Sequence, residues 1–233
     1  MTETAEPRLL IVETSSRVGL VAVALGPTVR AVRRLDEARR HARDLAPAAA
    51  ELLAGQGWRP RDLAGVIVSR GPGSYTGLRV GIMAAKALAY ATGCALLAVD
   101  TFAAIARQAP PEVDRLDIIA DAQQDKIYVQ EFARSAGEAD RSPVGPLVIL
   151  PLGEWLGRRR SDAWVSGPGL HVHRHRLPEG IPVADSACWD PQPESLLAIG
   201  LARYQAGQRD DVWALEPLYL RPSAAEQQWQ QRP

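Results

Sequence analysis

Arg70-Gly71-Pro72-Gly73-Ser74-Tyr75-Thr76-Gly77-Leu78-Arg79-Val80-Gly81 joins a short apolar run, Val66-Ile67-Val68-Ser69, to an alanine-rich segment that ends near Gly93. The stretch reads as strand, turn and helix. Pro72 fixes its own φ and has no N–H to donate, while Gly71 and Gly73 allow the positive φ and close approach of a sharp strand-to-helix turn. Ser74 or Thr76 then stands where a helix cap is needed. Free N–H groups at a helix start bind anions, so one reading is a generic phosphate cradle and the other a structural turn. Neither familiar phosphate loop fits. Leu78-Arg79 follows Gly77 where a P-loop needs Lys-Ser or Lys-Thr, and Thr76 stands where a Rossmann fingerprint needs glycine.

Within the helix, small residues recur every fourth position at Gly73, Gly77, Gly81, Ala85, Ala89 and Gly93. At 3.6 residues per turn these form a slowly winding groove that admits another backbone. Glycine inside a helix costs roughly 1 kcal/mol relative to alanine, so the groove needs a packing reason. Two reasons stand: contact with the chain's own sheet or a neighbouring helix, or a helix of another chain. On the second reading Gly77, Gly81 and Ala85 receive a partner helix, with Tyr75, Thr76, Leu78 and Ile82 beside them.

Outward from this stretch the pattern is regular. Leu9–Val12, Val18–Leu25 and Val29–Arg34 read as three strands in meander order, with Gly26-Pro27-Thr28 turning the second into the third. A polar segment from Asp36 to Arg43 leads into a helix around Leu45, Ala49, Leu52 and Leu53, which carries Pro47 and ends at Gly55-Gln56-Gly57. After the glycine turn and its helix come a strand, Ala95–Val99, and a helix, Phe102–Gln108, capped by Asp100-Thr101 and broken by Ala109-Pro110-Pro111. The first half is β-β-β-α-β-α-β-α, a mixed sheet covered on its faces. We place a lobe boundary at the proline pair, with lobes 1–109 and 110–233.

The second half restarts in the same way. A shift of 108 positions lays Ile118-Ile119-Ala120-Asp121 over Leu10-Ile11-Val12-Glu13, so an acidic residue ends the first strand of each half. That suggests two related lobes. Asp121–Lys126 reads as a turn, Ile127–Phe132 and Val148–Leu150 as strands, Glu154–Arg160 as a short helix, Ala163–Ser166 as a strand and Ser195–Gln205 as a helix.

Composition narrows the function. The 233 residues, 46% hydrophobic and 23% charged, are ordinary for a globular α/β protein. The 27 basic and 27 acidic residues cancel, so no global field draws in nucleic acid or an anionic membrane. Met1–Pro7 is acidic without an apolar core and no run approaches membrane-spanning length, which predicts a cytoplasmic protein. Cys94 and Cys188 lack metal-ligand or redox spacing and read as reduced packing residues.

The chemistry-bearing residues form no complete active site. Glu13 and Asp121 either hold a hydrated magnesium ion across a cleft or each cap their own turn. His171, His173 and His175 alternate, which on a strand puts three imidazoles on one face and otherwise makes a solvated loop. Ser74 lacks the Gly-x-Ser-x-Gly elbow, and the runs Arg39-Arg40 and Arg158-Arg159-Arg160 read as solvated charge.

Together these residues resemble a known family. The stretch from Arg70 to Gly81 is similar to the signature of the bacterial TsaB (YeaZ) family, glycoprotease-like proteins of the actin and sugar-kinase (ASKHA) superfamily. Ile11-Val12-Glu13-Thr14-Ser15, the helix entry at His41, Val99-Asp100-Thr101, Asp121-Ala122 with Ile127-Tyr128, and Glu216-Pro217-Leu218-Tyr219-Leu220-Arg221 match as well. The resemblance implies a two-lobed actin-like, ribonuclease H-like fold with a reduced second lobe. It also implies a non-catalytic subunit that binds the related catalytic subunit TsaD. With TsaE and the enzyme that makes threonylcarbamoyl-adenylate, that pair modifies the adenosine beside the anticodon of tRNAs reading A-starting codons. The pairing surface implied lies on first-lobe helices, including the one after Gly-Pro-Gly, and the chain alone forms homodimers through much the same surface. No catalytic residue, metal or cofactor is implied, apart from a vestigial nucleotide and magnesium site at Glu13 and Asp121, or ATP and magnesium at an interface of the complex. Glu13 stands where the family usually has Asp, and Gln123 where it has Arg. The rival within the superfamily is an ATP-dependent small-molecule kinase.

Overall fold

The computed structural model describes residues 6–35, 41–135, 137 and 140–220. Met1–Ala5, Arg39-Arg40 and Arg221 lie outside the described residues, as does the side chain of His41. The first sheet contains β1 (Arg8–Glu13), β2 (Leu20–Leu25), β3 (Thr28–Arg34), β4 (Gly65–Gly71) and β5 (Ala95–Asp100), in the order β3-β2-β1-β4-β5. β1, β2 and β3 pair antiparallel, and β4 and β5 run parallel to β1. The central strands are apolar without alternation because helices cover both faces. On one face α1 (His41–Gly55) and α2 (Tyr75–Thr92) pack Leu45, Ile82, Ala85 and Ala89 against Leu10 and Val12.

The second sheet repeats the plan. β6 (Arg115–Asp121) pairs antiparallel with β7 (Lys126–Arg134), and β10 (Trp164–Ser166) runs parallel to β6 as β4 does to β1. The third strand is split in two: β8 (Arg141–Pro143) and β9 (Val148–Pro151) both pair antiparallel with β7. In the place of β5, a single parallel bridge joins Val183 to Val165 of β10, with Val165 N–H donating to Pro182 O and Ala184 N–H to Val165 O at 2.9 Å each. Its outer face is covered by α4 (Leu152–Arg158) and the four-residue α5 (Leu170–His173).

Two helices lie between the sheets. α3 (Thr101–Gln108) packs Phe102, Ile105 and Ala106 on Leu116, Ile118 and Phe132 of the second sheet, while its Ala104 faces the first. α6 (Pro193–Gln205) packs Leu196, Leu197 and Leu201 on Leu9, Ile11 and Leu97 of the first sheet. The first sheet ends at Asp100 and the second begins at Arg115, while the last helix crosses back to the first sheet, because its apolar face fits the side left open by α1 and α2.

At the crossing sits Arg141, a buried cation with no acidic partner in its hydrogen bonds. Its guanidinium donates to Val113 O at 2.7 Å, to Ala106 O and Ala109 O at 3.1 Å each, and to Pro110 O. Ala106 O and Ala109 O lie where the prolines stop α3, and one planar fork serves them together with Val113 O and with Pro110 O, which also accepts Val113 N–H at 3.1 Å. The C-terminal segment guards the exposed edge of β5 in a related way. Asp210 N–H donates to Leu96 O at 2.9 Å, and its carboxylate accepts from Ala98 N–H at 2.6 Å.

Candidate partner-binding surface

The glycine turn is built as the sequence reads. Gly71 has φ of +109°, and Ser74 caps α2 by accepting Gly77 N–H at 3.2 Å. Gly93 closes the helix in the left-handed region at φ +75°. Asp100 differs from expectation. Its carboxylate takes Arg70 Nε–H at 2.5 Å rather than capping α3.

The small-residue groove of α2 faces the chain's own first strand-turn. A Cβ at Gly77 would overlap the carbonyl oxygen of Thr14, and one at Gly81 would overlap the Thr14 hydroxyl. Among the residues read as a partner stripe, Gly77, Leu78, Gly81, Ile82 and Ala85 are buried inside this chain, and only Tyr75 and Thr76 reach solvent. The correction has a plain cause. The groove lets α2 lie on residues 13–16 so closely that no second helix can enter it.

What α2 offers to solvent is the opposite face. Met83 and Tyr90 are 61% and 70% exposed, Thr76 and Ala87 are exposed, and Val80 and Ala84 are half-buried beside them. α2 carries two charged residues, and both are engaged within the chain. Arg79 stacks over Tyr75 and donates from Nε to Tyr219 OH at 2.9 Å, and Lys86 Nζ donates to Trp213 O at 3.3 Å and Leu215 O at 3.2 Å. The outward face is therefore apolar, small in its middle and without a free charge. Hydropathy periodicity alone cannot separate this face from the glycine groove, because alanines lie on both.

Glu13 and Asp121 each close their own turn. Glu13 is 1% exposed, and its Oε1 accepts Ser15 N–H and Ser15 Oγ–H at 2.5 Å each and Ser16 N–H at 3.2 Å. Burial pushes its carboxyl above the usual carboxylate range, against the pull of the Ser15 and Ser69 hydroxyls and the Ser15 and Ser16 amides. Asp121 is on the surface, accepting Gln123 N–H at 3.0 Å and lying 3.2 Å from His173 Nε2. The turns engage Oε1 of Glu13 and Oδ1 of Asp121, and Glu13 Oε2 is buried without a hydrogen-bond partner. The three histidines are also placed differently from a strand face or a solvated loop. They lie on α5 and the 3-10 turn Arg174–Arg176, with His173 buried on Asp121 and His171 2.6 Å from Asp190. Cys94 and Cys188 are free thiols.

Two lobes of one strand order, with a helix crossing back between them, define a two-lobed actin-like α/β protein. The chain belongs to the tRNA N6-adenosine threonylcarbamoyltransferase (TsaD) family, whose model matches residues 36–157, just over half of its length. Along nearly the whole chain it is similar to proteins named tRNA threonylcarbamoyladenosine biosynthesis protein TsaB. That of Bacillus subtilis is 27% identical over 95% of this chain and 97% of the relative, and that of Escherichia coli is 26% identical over 97% and 98%. Among solved structures, YeaZ from Pseudomonas aeruginosa superposes with a TM-score of 0.77 at 25% identity, covering 92% of this chain and 100% of that one. The TsaB (YeaZ) resemblance read from the glycine turn holds along the length of the molecule. Among the described residues no helix is long and apolar enough to cross a membrane.

Proposed function

We propose that this chain is the non-catalytic partner subunit of a cytoplasmic tRNA threonylcarbamoylating assembly, and that it binds the family's catalytic member, TsaD, through the outward face of α2. The observation that carries this reading is the uncharged face of Met83, Ala87 and Tyr90, an apolar surface on the helix that the glycine turn launches. The names of the full-length relatives supply the process. In the larger assembly the ATPase TsaE joins the pair, and threonylcarbamoyl passes to the adenosine beside the anticodon of tRNAs that read A-starting codons. The chain contributes no catalytic residue and no resident cofactor, and tRNA reaches it through the complex. In the absence of its partner, two copies pair through the same face.

The test is light scattering after size-exclusion chromatography of this chain, of TsaD from the same organism, and of their mixture, followed by tRNA threonylcarbamoylation with the complete set. A hetero-complex that Met83→Asp abolishes, with loss of tRNA modification and an unchanged melting temperature, is expected. A complex that survives Met83→Asp together with Tyr90→Asp overturns the placement. Tight magnesium-dependent ATP binding and phosphoryl transfer by the chain alone would favour the kinase reading.

A further inference from the structure

The segment after α6 does more than end the chain. From Asp210 it runs as a strap across the first lobe and over α2, tied at successive points. Asp210 bonds both Leu96 and Ala98 on the edge of β5. Asp211 folds a compact turn, its Oδ1 accepting Trp213 N–H at 2.7 Å and Ala214 N–H at 2.8 Å while its carbonyl accepts Leu215 N–H at 3.0 Å. Leu215 is buried in the core that α1 and α2 share. Leu218 N–H donates to Arg70 O at 2.7 Å, and Tyr219 stacks on Tyr75 with ring centroids 4.8 Å apart.

In the middle of this pinned segment Trp213 is 76% exposed, the most exposed of the large hydrophobic side chains among the described residues. Its ring meets Tyr90 edge-on, with centroids 5.5 Å apart. Lys86, one of only two lysines in the chain, reaches from α2 to the carbonyls of Trp213 and Leu215. A buried leucine two residues away and a lysine clamp hold the backbone, yet the indole is left in water. An aromatic side chain of this size, fixed at little further entropic cost and set beside a methionine and a tyrosine, has the properties of an interface anchor.

We propose that the strap completes the docking surface of α2: Trp213 is an anchor residue for an apolar helix of the catalytic partner, and Lys86 is the positioning residue that holds it there. This inference rests on the partner reading above. Its occupant follows from continuity and charge. Trp213 extends the Met83–Tyr90 face without a break, and Arg79 and Lys86 are already engaged, so the surface suits an uncharged protein helix and not a polyanion.

The experiment measures binding of full-length variants to TsaD from the same organism by titration calorimetry, with melting temperature and hydrogen exchange of the strap amides as companion readouts. Trp213→Ala is expected to weaken binding on the order of 30-fold with an unchanged melting temperature. Lys86→Met is expected to weaken binding about tenfold and to speed exchange at Trp213 and Leu215, whereas Lys86→Arg keeps both near wild type. If Met83→Asp abolishes binding while Trp213→Ala binds as wild type, the strap has no part in docking and the partner reading stands without it. If Met83→Asp and Trp213→Ala both bind as wild type, docking lies elsewhere and the strap proposal fails with the α2 placement, whereas absence of binding by the unaltered chain overturns the partner reading itself. Loss of binding in Trp213→Ala accompanied by a lowered melting temperature is resolved by Trp213→Gln with Lys86→Met, and wild-type affinity in both overturns the proposal.

Discussion

The turns that end β1 and β6 occupy equivalent places in two lobes of one topology, yet they are built in opposite ways. After β1, Glu13 is buried and wrapped by its own turn, and a long glycine-faced helix is pressed onto Thr14 and Ser15. After β6, Asp121 lies at the surface, and Gln123, Gln124 and Asp125 follow with φ of 60°, 52° and 61°. Three successive side-chain-bearing residues in the left-handed region make a costly turn, beside which stand short α5 and the start of α4, where Leu152 N–H donates to Asp125 O at 3.0 Å. The difference continues four residues back along the strands. The position of Leu9, fully buried under α6, is taken in β6 by Asp117, which faces Glu131 across the strand pair and accepts Trp155 Nε1–H at 3.1 Å. Both lobes bury polar groups, the first at Glu13, Thr14, Ser15, Ser16 and Ser69 and the second at Asp117, Arg141 and Ser166, but among the described residues the second has no helix as long as α2.

The largest effect should come from breaking the closed turn. Gly81→Leu drives a side chain into the Thr14 hydroxyl within a packed layer, and we expect a loss of about 4 kcal/mol or more in urea denaturation. A near-wild-type midpoint would show that α2 does not depend on its seat over residues 13–16.

The second effect has the opposite sign and belongs to the second lobe. Burial raises the Asp117 carboxyl to about 6 from 3.8, with Glu131 adding to the rise and Trp155 and Arg159 opposing it. A carboxyl raised on folding contributes stability that is complete below about pH 4 and is lost as pH climbs through about 6, because the folded state then gives up a proton it holds more tightly. The shift corresponds to about 3 kcal/mol. Asp117→Asn keeps an acceptor for the indole and removes the charge, so the variant should be more stable than wild type by about 2–3 kcal/mol at pH 8 and nearly equal to it at pH 4. Urea midpoints across that range check the claim, and a pH-independent difference between the two proteins would refute it.

The smallest effect tests the left-handed turn. Gln123→Gly relieves one of its three positive-φ positions and should stabilise the protein by about 0.5–1 kcal/mol, read from the same denaturation curves. A loss of stability would mean that the Gln123 side chain makes contacts worth more than the backbone strain.

Much of this molecule is legible in its residues alone. The element order of the first half, a cap at Ser74 or Thr76, the stop at Gly93 and the repeat at 108 positions follow from local rules: apolar runs, glycine and proline punctuation, and periodicity. The same rules mislead where a short segment is shaped by distant contacts. His171, His173 and His175 alternate like a strand but sit on a helical turn, because the carboxylates of Asp121 and Asp190 come to them from elsewhere in the chain. Arg141 gives no signal at all, since the carbonyls it satisfies are 28 to 35 positions away.

By itself, the sequence determined that a glycine turn launches a helix with one small-residue face, and that two halves share a beginning. Only the tertiary structure decided which face of that helix meets its own chain. The reason is geometric. Glycine marks where a backbone comes close without saying whose backbone it is, and solvent exposure of Met83, Tyr90 and Trp213 is a property of how α2 and the strap are seated on the sheet, not of the residues in order.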